Sequence, residues 1–342
     1  MAERPEFLSD APHGGACQSM DALSDLLKAI RLTGGVYLAG ELSAPWCIQS
    51  QVSADECRKV QSRPENVVGF HYVLEGRMLL QVEGASPVQA GPESVVLVTR
   101  NERHVLASEP GLRPFRAADH TVIDPEDGVA RLRYDGGGER TRIVCGYVGT
   151  ENRRHPLFEA LPRTLVLELR DSPGSEWLAT SFRYAARSLA RLEPGAALSI
   201  ARLSELMFIE AIRRYLCALP PGQAGWLAGL RDPSVGRALA LLHSQFDRPW
   251  TTEGLAREVA LSRSAFADRF TSLIGTPPMS YLTAWRMQVA QQRLRETQLS
   301  VAQVAAEVGY ESEASFTRAF SRELGMPPAR WRREQPGVDQ AR

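Results

Sequence analysis

The sequence predicts an α+β chain of two domains: a β-rich N-terminal domain with a helical hairpin, followed by an all-α C-terminal domain. Three observations predict it. Short apolar runs bounded by Gly, Pro and charged residues occupy the stretch from Gly34 to Val148, the pattern of several strands joined by tight turns in a barrel or sandwich. After Glu151 the apolar pattern turns helical, with amphipathic candidates from residue 175 onward. In the last hundred residues one pattern is written twice, 50 positions apart. Phe266 recurs as Phe316, Phe270 as Phe320, Gly275 as Gly325, and Pro277 and Pro278 as Pro327 and Pro328. Ala256 pairs with Ala306, Ser262 with Ser312 and Tyr281 with Trp331, so the C-terminal domain is expected to be a duplicated helical unit.

Composition narrows the classes. At 342 residues, two domains is the natural division. The formal net charge is zero, which excludes a globally basic polyanion binder. No apolar run approaches the roughly 18 residues of a membrane helix. The polar stretch Met1 to Asp10 lacks a signal-peptide core, so a cytoplasmic protein with no membrane partner is expected. Five scattered cysteines (Cys17, Cys47, Cys57, Cys145, Cys217) contain no C-x-x-C pair and argue against a disulfide framework. They are expected to be reduced thiols, the alternative being a redox-sensing cysteine with a depressed pKa.

In order, residues 1–19 read as a flexible arm and 20–150 as the β-rich domain. Residues 151–230 read as a helical linker and dimerisation segment, 231–334 as the doubled unit and 335–342 as a tail. Within 20–32, Leu23, Leu26, Leu27 and Ile30 share a helical face. Strands are expected at 36–38, 46–48, 67–73, 78–82, 95–98 and 142–148, with turns at Glu75-Gly76-Arg77 and Glu83-Gly84-Ala85. The acidic, Gly-rich stretch 110–140 reads as a long loop. Ser175 to Leu192 and Ala196 to Leu219 read as helices separated by Glu193-Pro194-Gly195. The stripe Leu198, Leu203, Leu206, Ile209, Ile212 and Leu216 on the second is either hairpin core or a dimer seam. Asp232-Pro233 opens a further helix to Phe246, with Asp as N-cap and Pro at the first position.

Each copy of the doubled unit reads as helix, tight turn, helix. The first is Thr252 to Ala260, then Arg263 to Ile274; the second is Ser300 to Val308, opened by a Ser300/Gln303 capping box, then Glu313 to Leu324. Met279 to Thr297 is expected to connect them as one helix a little under 30 Å long, from about 1.5 Å per residue. Ten arginines surround the two copies (Arg263, Arg269, Arg286, Arg293, Arg295, Arg318, Arg322, Arg330, Arg332, Arg333). From Ala240 onward there are 13 Arg against 11 Asp and Glu, so charge alone does not separate a nucleic-acid face from a solvated one.

Residues 233–334 resemble the DNA-binding domain of the AraC/XylS family of transcription regulators. The residues that carry it are Leu255-Ala256, Ser262 to Phe266, Arg269-Phe270, Gly275 to Pro278, Tyr281-Leu282 and Arg286-Met287. They continue with Ala305 to Ser312, Phe316 to Phe320 and Gly325 to Pro328. The resemblance implies double-stranded DNA as partner, with the second helix of each copy in a major groove. The positions it assigns are Arg263, Ser264, Ala267 and Asp268 in the first copy and Glu313, Ala314, Thr317 and Arg318 in the second. Asp268 departs from the pattern: it repels phosphate, though it can accept from cytosine N4.

The β-rich domain resembles a degenerate cupin. His71 matches the second His and Glu75 the Glu of the first cupin motif, and His104 matches the His of the second motif, while Gly69 stands where the first His belongs. Alternation puts His71 and Glu75, four apart on a strand, on one face. The resemblance implies an effector pocket at Trp46, His71, Glu75 and His104, and a divalent metal held by His71, Glu75 and His104. The other reading is a vestigial pocket lined by hydrogen-bonded histidines. Together the two resemblances imply a non-enzymatic, homodimeric regulator that senses a small molecule or an oxidant and, as an activator, meets RNA polymerase. The alternatives are a redox switch through Cys47 or Cys145 and a metal-dependent cupin enzyme.

Overall fold

The computed structural model describes residues 6–8, 23, 32–53, 66–123, 129–150, 156–169, 176–220 and 225–334. The expected flexible arm, 1–19, is corrected at Glu6–Leu8, which is a strand pairing in parallel with Leu165–Leu167. The rest of the arm and the tail lie outside the described residues, as does the helix over 20–32 except for Leu23, which is helical and buried, and Leu32, which opens a strand. The chain divides into two compact units. Of the described residues, the first holds those up to Ala218 apart from Leu23 and Pro156–Ala160; the second holds Leu23, Pro156–Ala160 and everything from Leu219.

The first unit contains two sheets. The larger runs β1 (Glu6–Leu8), β12 (Thr164–Glu168), β7 (Ser94–Val98), β4 (Asn66–Glu75), β11 (Arg140–Thr150), β2 (Leu32–Ser43), β10 (Ala130–Asp135), β9 (Thr121–Ile123). The smaller runs β3 (Cys47–Ser50), β8 (His104–Ala107), β5 (Met78–Val82), β6 (Val88–Ala90). Residues of both sheets, among them Tyr37, Trp46, Val73, Leu80, Val96, Leu106 and Cys145, share one apolar core. The expected barrel is therefore a cupin-like pair of sheets facing across a common interior, with the hydrogen bonding of each sheet separate. All six expected strands exist, and Gly76 and Gly84 take the positive φ their turns require.

Two expectations fail in this unit. The stretch 110–140 is not one long loop: it holds a 3-10 turn (Ala117–His120) and strands β9 and β10, the latter pairing in parallel with β2 from Ala130↔Leu38 to Asp135↔Ser43. Nor is 151–230 a separate helical linker. Thr164–Glu168 is a strand against β7, and helices α2 (Glu176–Ala190) and α3 (Ala196–Ala218) belong to the sheet unit. Alternation on β4 explains part of this. Odd residues such as Val73 face the interior, while Phe70 and Tyr72 face outward and meet Phe182 of α2 at 6.5 and 5.1 Å. Helix α3 lies so close to β2 that a Cβ on Gly34 would overlap the Ala201 carbonyl, and the Gly34 N–H donates to Glu205 Oε1 at 3.0 Å.

The second unit is helical: α1 (Pro156–Ala160), α4 (Trp226–Arg231), α5 (Pro233–Ser244), α6 (Thr252–Glu258), α7 (Arg263–Ile274), α8 (Pro278–Glu296), α9 (Val301–Glu307), α10 (Glu313–Leu324) and α11 (Pro328–Glu334). Local chemistry sets the ends. The Asp232 carboxylate accepts from Ser234 N and Val235 N, Ser262 and Ser312 cap α7 and α10, and Ser300 with Gln303 forms the expected capping box. Gly275 and Gly325 close α7 and α10 in the left-handed conformation.

Candidate DNA-binding and effector sites

The duplication is real in three dimensions. The Phe266–Phe270 rings stand 5.6 Å apart and the Phe316–Phe320 rings 5.5 Å apart. Tyr281 meets Phe270 edge-on at 5.8 Å, and Trp331 meets Phe320 edge-on at 6.0 Å. One pairing changes. Buried Ala256 corresponds to buried Ala305, not to exposed Ala306, because Thr251 caps α6 where Ser300 caps α9, an offset of 49. The offset becomes 50 at Ser262 and Ser312 because the second turn carries one more residue, Glu311. Ala260 and Gly309 are equivalent, both at positive φ.

With Phe266 and Phe270 inward, α7 turns Ser264, Ala267 and Asp268 away from the core and leaves Arg263 exposed at its first position; α10 does the same with Ala314, Thr317 and Arg318, with Glu313 exposed at its first position. All are exposed except half-buried Ala267 and Thr317. The two faces carry reversed charge: Arg263 is replaced by Glu313 at the equivalent position, and Asp268 by Arg318. The arginines sort themselves by partner. Arg269 binds Asp232 at 2.5 Å, Arg293 binds Glu307 at 3.2 Å, Arg330 binds Glu334 at 2.7 Å, and Arg286 and Arg332 donate to backbone carbonyls. Arg263 and Arg318 have no hydrogen bond or ion pair among the described residues. Apart from the Arg330–Glu334 pair, four residues apart, sequence patterning could not make this distinction, because the partners are carboxylates and backbone carbonyls distant along the chain.

In the first unit, His71 faces the interior between Cys145 of β11 and Val96 of β7, and His104 stands opposite Ser50 and Val82. Their Nε2 atoms are 2.7 Å apart, and His104 Nδ1 donates to the Glu102 carbonyl at 2.7 Å. Neutral rings then require His71 Nε2–H to donate to His104 Nε2, which leaves His71 Nδ1 as a buried acceptor without a partner. Trp46 is also buried in this core, with its Nε1 donor unpartnered.

Glu75 does not join them. A bulge sets Ile143 against Val73 but Arg142 against Glu75, so one residue of β4, Leu74, is extra. The insertion reverses the alternation, and Glu75 ends exposed on the other face. The expected His71, Glu75 and His104 ligand set is therefore not assembled. Two imidazoles in direct hydrogen bond do not fit a three-ligand metal centre, and among the described residues no three His, Cys, Asp or Glu side chains group to hold an ion.

Burial pushes the His71 pKa well below its ordinary value, helped by the neighbouring His104, and burial lowers that of His104. A histidine depressed on folding binds fewer protons than in the unfolded chain, so stability is lost as pH falls below about 6.5, the unfolded value. We expect denaturant melts of this unit to weaken from pH 7.5 to pH 5.5 by up to about 1.4 kcal/mol per pH unit per histidine. A flat profile would mean that the pair is already charged or solvated. Cys47 and Cys145 are buried, and burial raises the Cys47 pKa, the opposite of what a reactive thiolate needs.

A cupin family model matches residues 21–217, and a helix-turn-helix domain model matches residues 255–334. A putative AraC-like transcription regulator of Streptomyces lividans is 31% identical over 318 residues, covering 92% of this chain and 98% of that protein. The RCS-specific HTH-type transcriptional activator RclR of Escherichia coli is 27% identical over 314 residues, covering 92% of this chain and 97% of its own. The solved DNA-binding domain of AdpA in complex with a target DNA is 32% identical, covering 30% of this chain and 91% of that one, with a TM-score of 0.28.

Two helix-turn-helix units following a cupin-like sheet domain define a DNA-binding transcription regulator. More particularly, the chain belongs to the AraC-like family of transcription regulators. No helix among the described residues is long and apolar enough to cross a membrane.

Proposed function

We propose that the chain is a sequence-specific, non-enzymatic regulator whose two recognition helices, α7 and α10, enter successive major grooves of one duplex while the cupin-like interior binds an effector. The observation that carries the DNA reading is the equivalence of two exposed helix faces on one 19-residue connecting helix. That helix is about 28 Å long, near the ~34 Å of a DNA turn, so a modest bend makes up the difference. On the two reading faces Arg263 and Arg318 are the guanidiniums available to phosphate or guanine, and Ser264, Ala267, Asp268, Glu313, Ala314 and Thr317 complete those faces. The test is selection of bound duplexes from a random library by the full chain, followed by genome-wide mapping. Two conserved blocks about one turn apart are expected; enrichment of no motif would refute the reading.

For the effector, the supporting observation is the pair of orphaned groups in one apolar core, the Trp46 donor and the His71 acceptor. Each unpaired buried group costs about 1–3 kcal/mol. A small ligand offering an acceptor and a donor would recover that cost, and loss of a ligand-induced melting shift in Trp46→Phe would locate it there. Glu75 is not part of this pocket, and a cupin enzyme lacks its ligand set.

A second copy of the chain is the partner proposed for α3. Of the expected stripe, Ile212 and Leu216 are core, while Leu198 and Leu206 are 60% and 45% exposed, with Leu203 and Ile209 half-buried beside them. The Arg202–Glu205 pair, 2.9 Å, lies on the same helix and offers both charges to an identical antiparallel face. Leu206→Glu is expected to turn a dimer into a monomer by sedimentation velocity without lowering the melting temperature. A monomeric wild type at micromolar concentration would sink this assignment. As an activator, the DNA-bound dimer would meet RNA polymerase, and transcription in vitro from a mapped promoter tests that directly.

A further inference from the structure

Arg286 sits on the connecting helix α8, outside both reading faces, yet it touches both halves of the doubled unit. Its Nε donates to the Phe246 carbonyl and its Nη2 to the Arg248 carbonyl, each at 2.7 Å. Those carbonyls belong to the segment that leaves α5 and leads into the first helix-turn-helix. The same guanidinium stacks over Tyr310, 5.6 Å from the ring centre, in the turn of the second helix-turn-helix. That turn is pressed against the same segment: Gly309 has φ +80°, and a Cβ there would overlap the Asp247 carbonyl and crowd Arg286 Nη2. Phe246 completes the junction by packing, half-buried, against the apolar core of the second copy, the cluster that contains Met287, Val308 and Phe316. The junction therefore has three parts: a loop from the first copy's side, a turn from the second, and a planar cation from the helix between them.

We propose that Arg286 is a positioning residue that sets the distance and rotation between the two recognition helices, so that the doubled unit accepts one spacing between its two DNA blocks. The proposal rests on the two-groove reading given above.

The physical reason is the number of constraints at one point. A helix connecting two units fixes their separation along its axis but leaves each free to rock about its own short loops. A guanidinium is planar and rigid, so two hydrogen bonds to the loop and a stacked ring hold three elements in one relative orientation. The second copy is where rocking would matter. One side of its turn is Tyr310, on which Arg286 stacks; the same ring stands 5.6 Å from Phe316, whose helix carries Thr317 and Arg318. Releasing the cation loosens the frame of α10 without touching any DNA-facing side chain. DNA makes such a loss visible, because each inserted base pair turns the second groove by roughly 35°, from 10–10.5 base pairs per turn.

The experiment selects bound duplexes from a random library with the full-length wild type and with Arg286→Met, which keeps the aliphatic stem and removes the donors. Wild type should return two blocks at a single spacing, and a one-base-pair insertion between them should weaken its binding by roughly tenfold or more, the scale of lost base contacts. R286M should return the same two blocks at a spread of spacings and lose most of the insertion penalty, with each block's sequence unchanged. R286K, which keeps the charge but not the planar fork, should fall between the two, and serves in its place if R286M does not fold. A single spacing and a full insertion penalty in the folded variants would overturn the positioning role. A wild type that returns one block only would overturn the two-groove reading itself, and the positioning role with it.

Discussion

Phe316→Ala is expected to destabilise the second unit by about 3–5 kcal/mol, the usual cost of removing a fully buried Phe side chain. The ring is completely buried and lies at the centre of the second copy's core. It meets Phe320 at 5.5 Å and Tyr310 at 5.6 Å, so truncation leaves a cavity and removes two aromatic contacts together. Tyr310 also carries the Arg286 guanidinium, so the loss spreads from the core of α10 to the junction between the copies. Urea melts of the full chain should show a transition at lower denaturant for the helical unit, and binding to the selected duplex should fall with it. A wild-type midpoint would mean that the ring is not the buried centre described.

The second large effect separates function from stability. Arg318→Ala should remove about 1–3 kcal/mol of specific affinity, the range for a guanidinium that reads guanine bidentately. It should leave the melting temperature within error, because the side chain is exposed and makes no ion pair or hydrogen bond among the described residues. The reversed charge at the equivalent position of the first copy, Asp268, makes the comparison sharper. Asp268→Ala should relax sequence preference or raise non-specific binding, by removing a carboxylate that repels phosphate. Titrations of both variants against the selected duplex, at two salt concentrations, distinguish a base contact from a phosphate contact. Equal affinity of Arg318→Ala and wild type would remove α10 from the reading face.

Much of the helical unit was legible before any coordinates. Its signals are local: Asp, Thr and Ser at N-caps, Gly at left-handed C-caps, and Phe at i and i+4 on one helix face. Each is decided within a few residues, so the helices Arg263–Ile274 and Glu313–Leu324 appear where expected. The outward positions Ser264, Ala267 and Asp268, and Ala314, Thr317 and Arg318, follow from the same periodicity, while Arg263 and Glu313 are exposed because they open their helices. The pairing of Ala256 with Ala306 failed for an equally local reason, the extra Glu311 in the second turn.

The sheet unit was less legible because its order depends on partners far along the chain. Thr164–Glu168 is short and sits in a helical stretch; it is a strand because Ser94–Val98 offers it a free edge. Thr121–Ile123 and Ala130–Asp135 pair onto β2, whose own sequence gives no sign of them. Glu75 shows the limit most clearly. Perfect alternation placed it beside His71, and one bulged residue against β11 sent it to the opposite face.

The amino-acid sequence was sufficient to specify two helix-turn-helix units, their caps, their inward aromatics and the class of partner they imply. Those properties arise from short-range periodicity and backbone satisfaction within single helices. Long-range pairing settled three further matters: that two histidines meet each other and not a carboxylate, that α3 divides its apolar stripe between core and surface, and that most arginines are already engaged. Register, bulges and ion pairs between distant segments depend on which surfaces finally come together, and no local pattern encodes that.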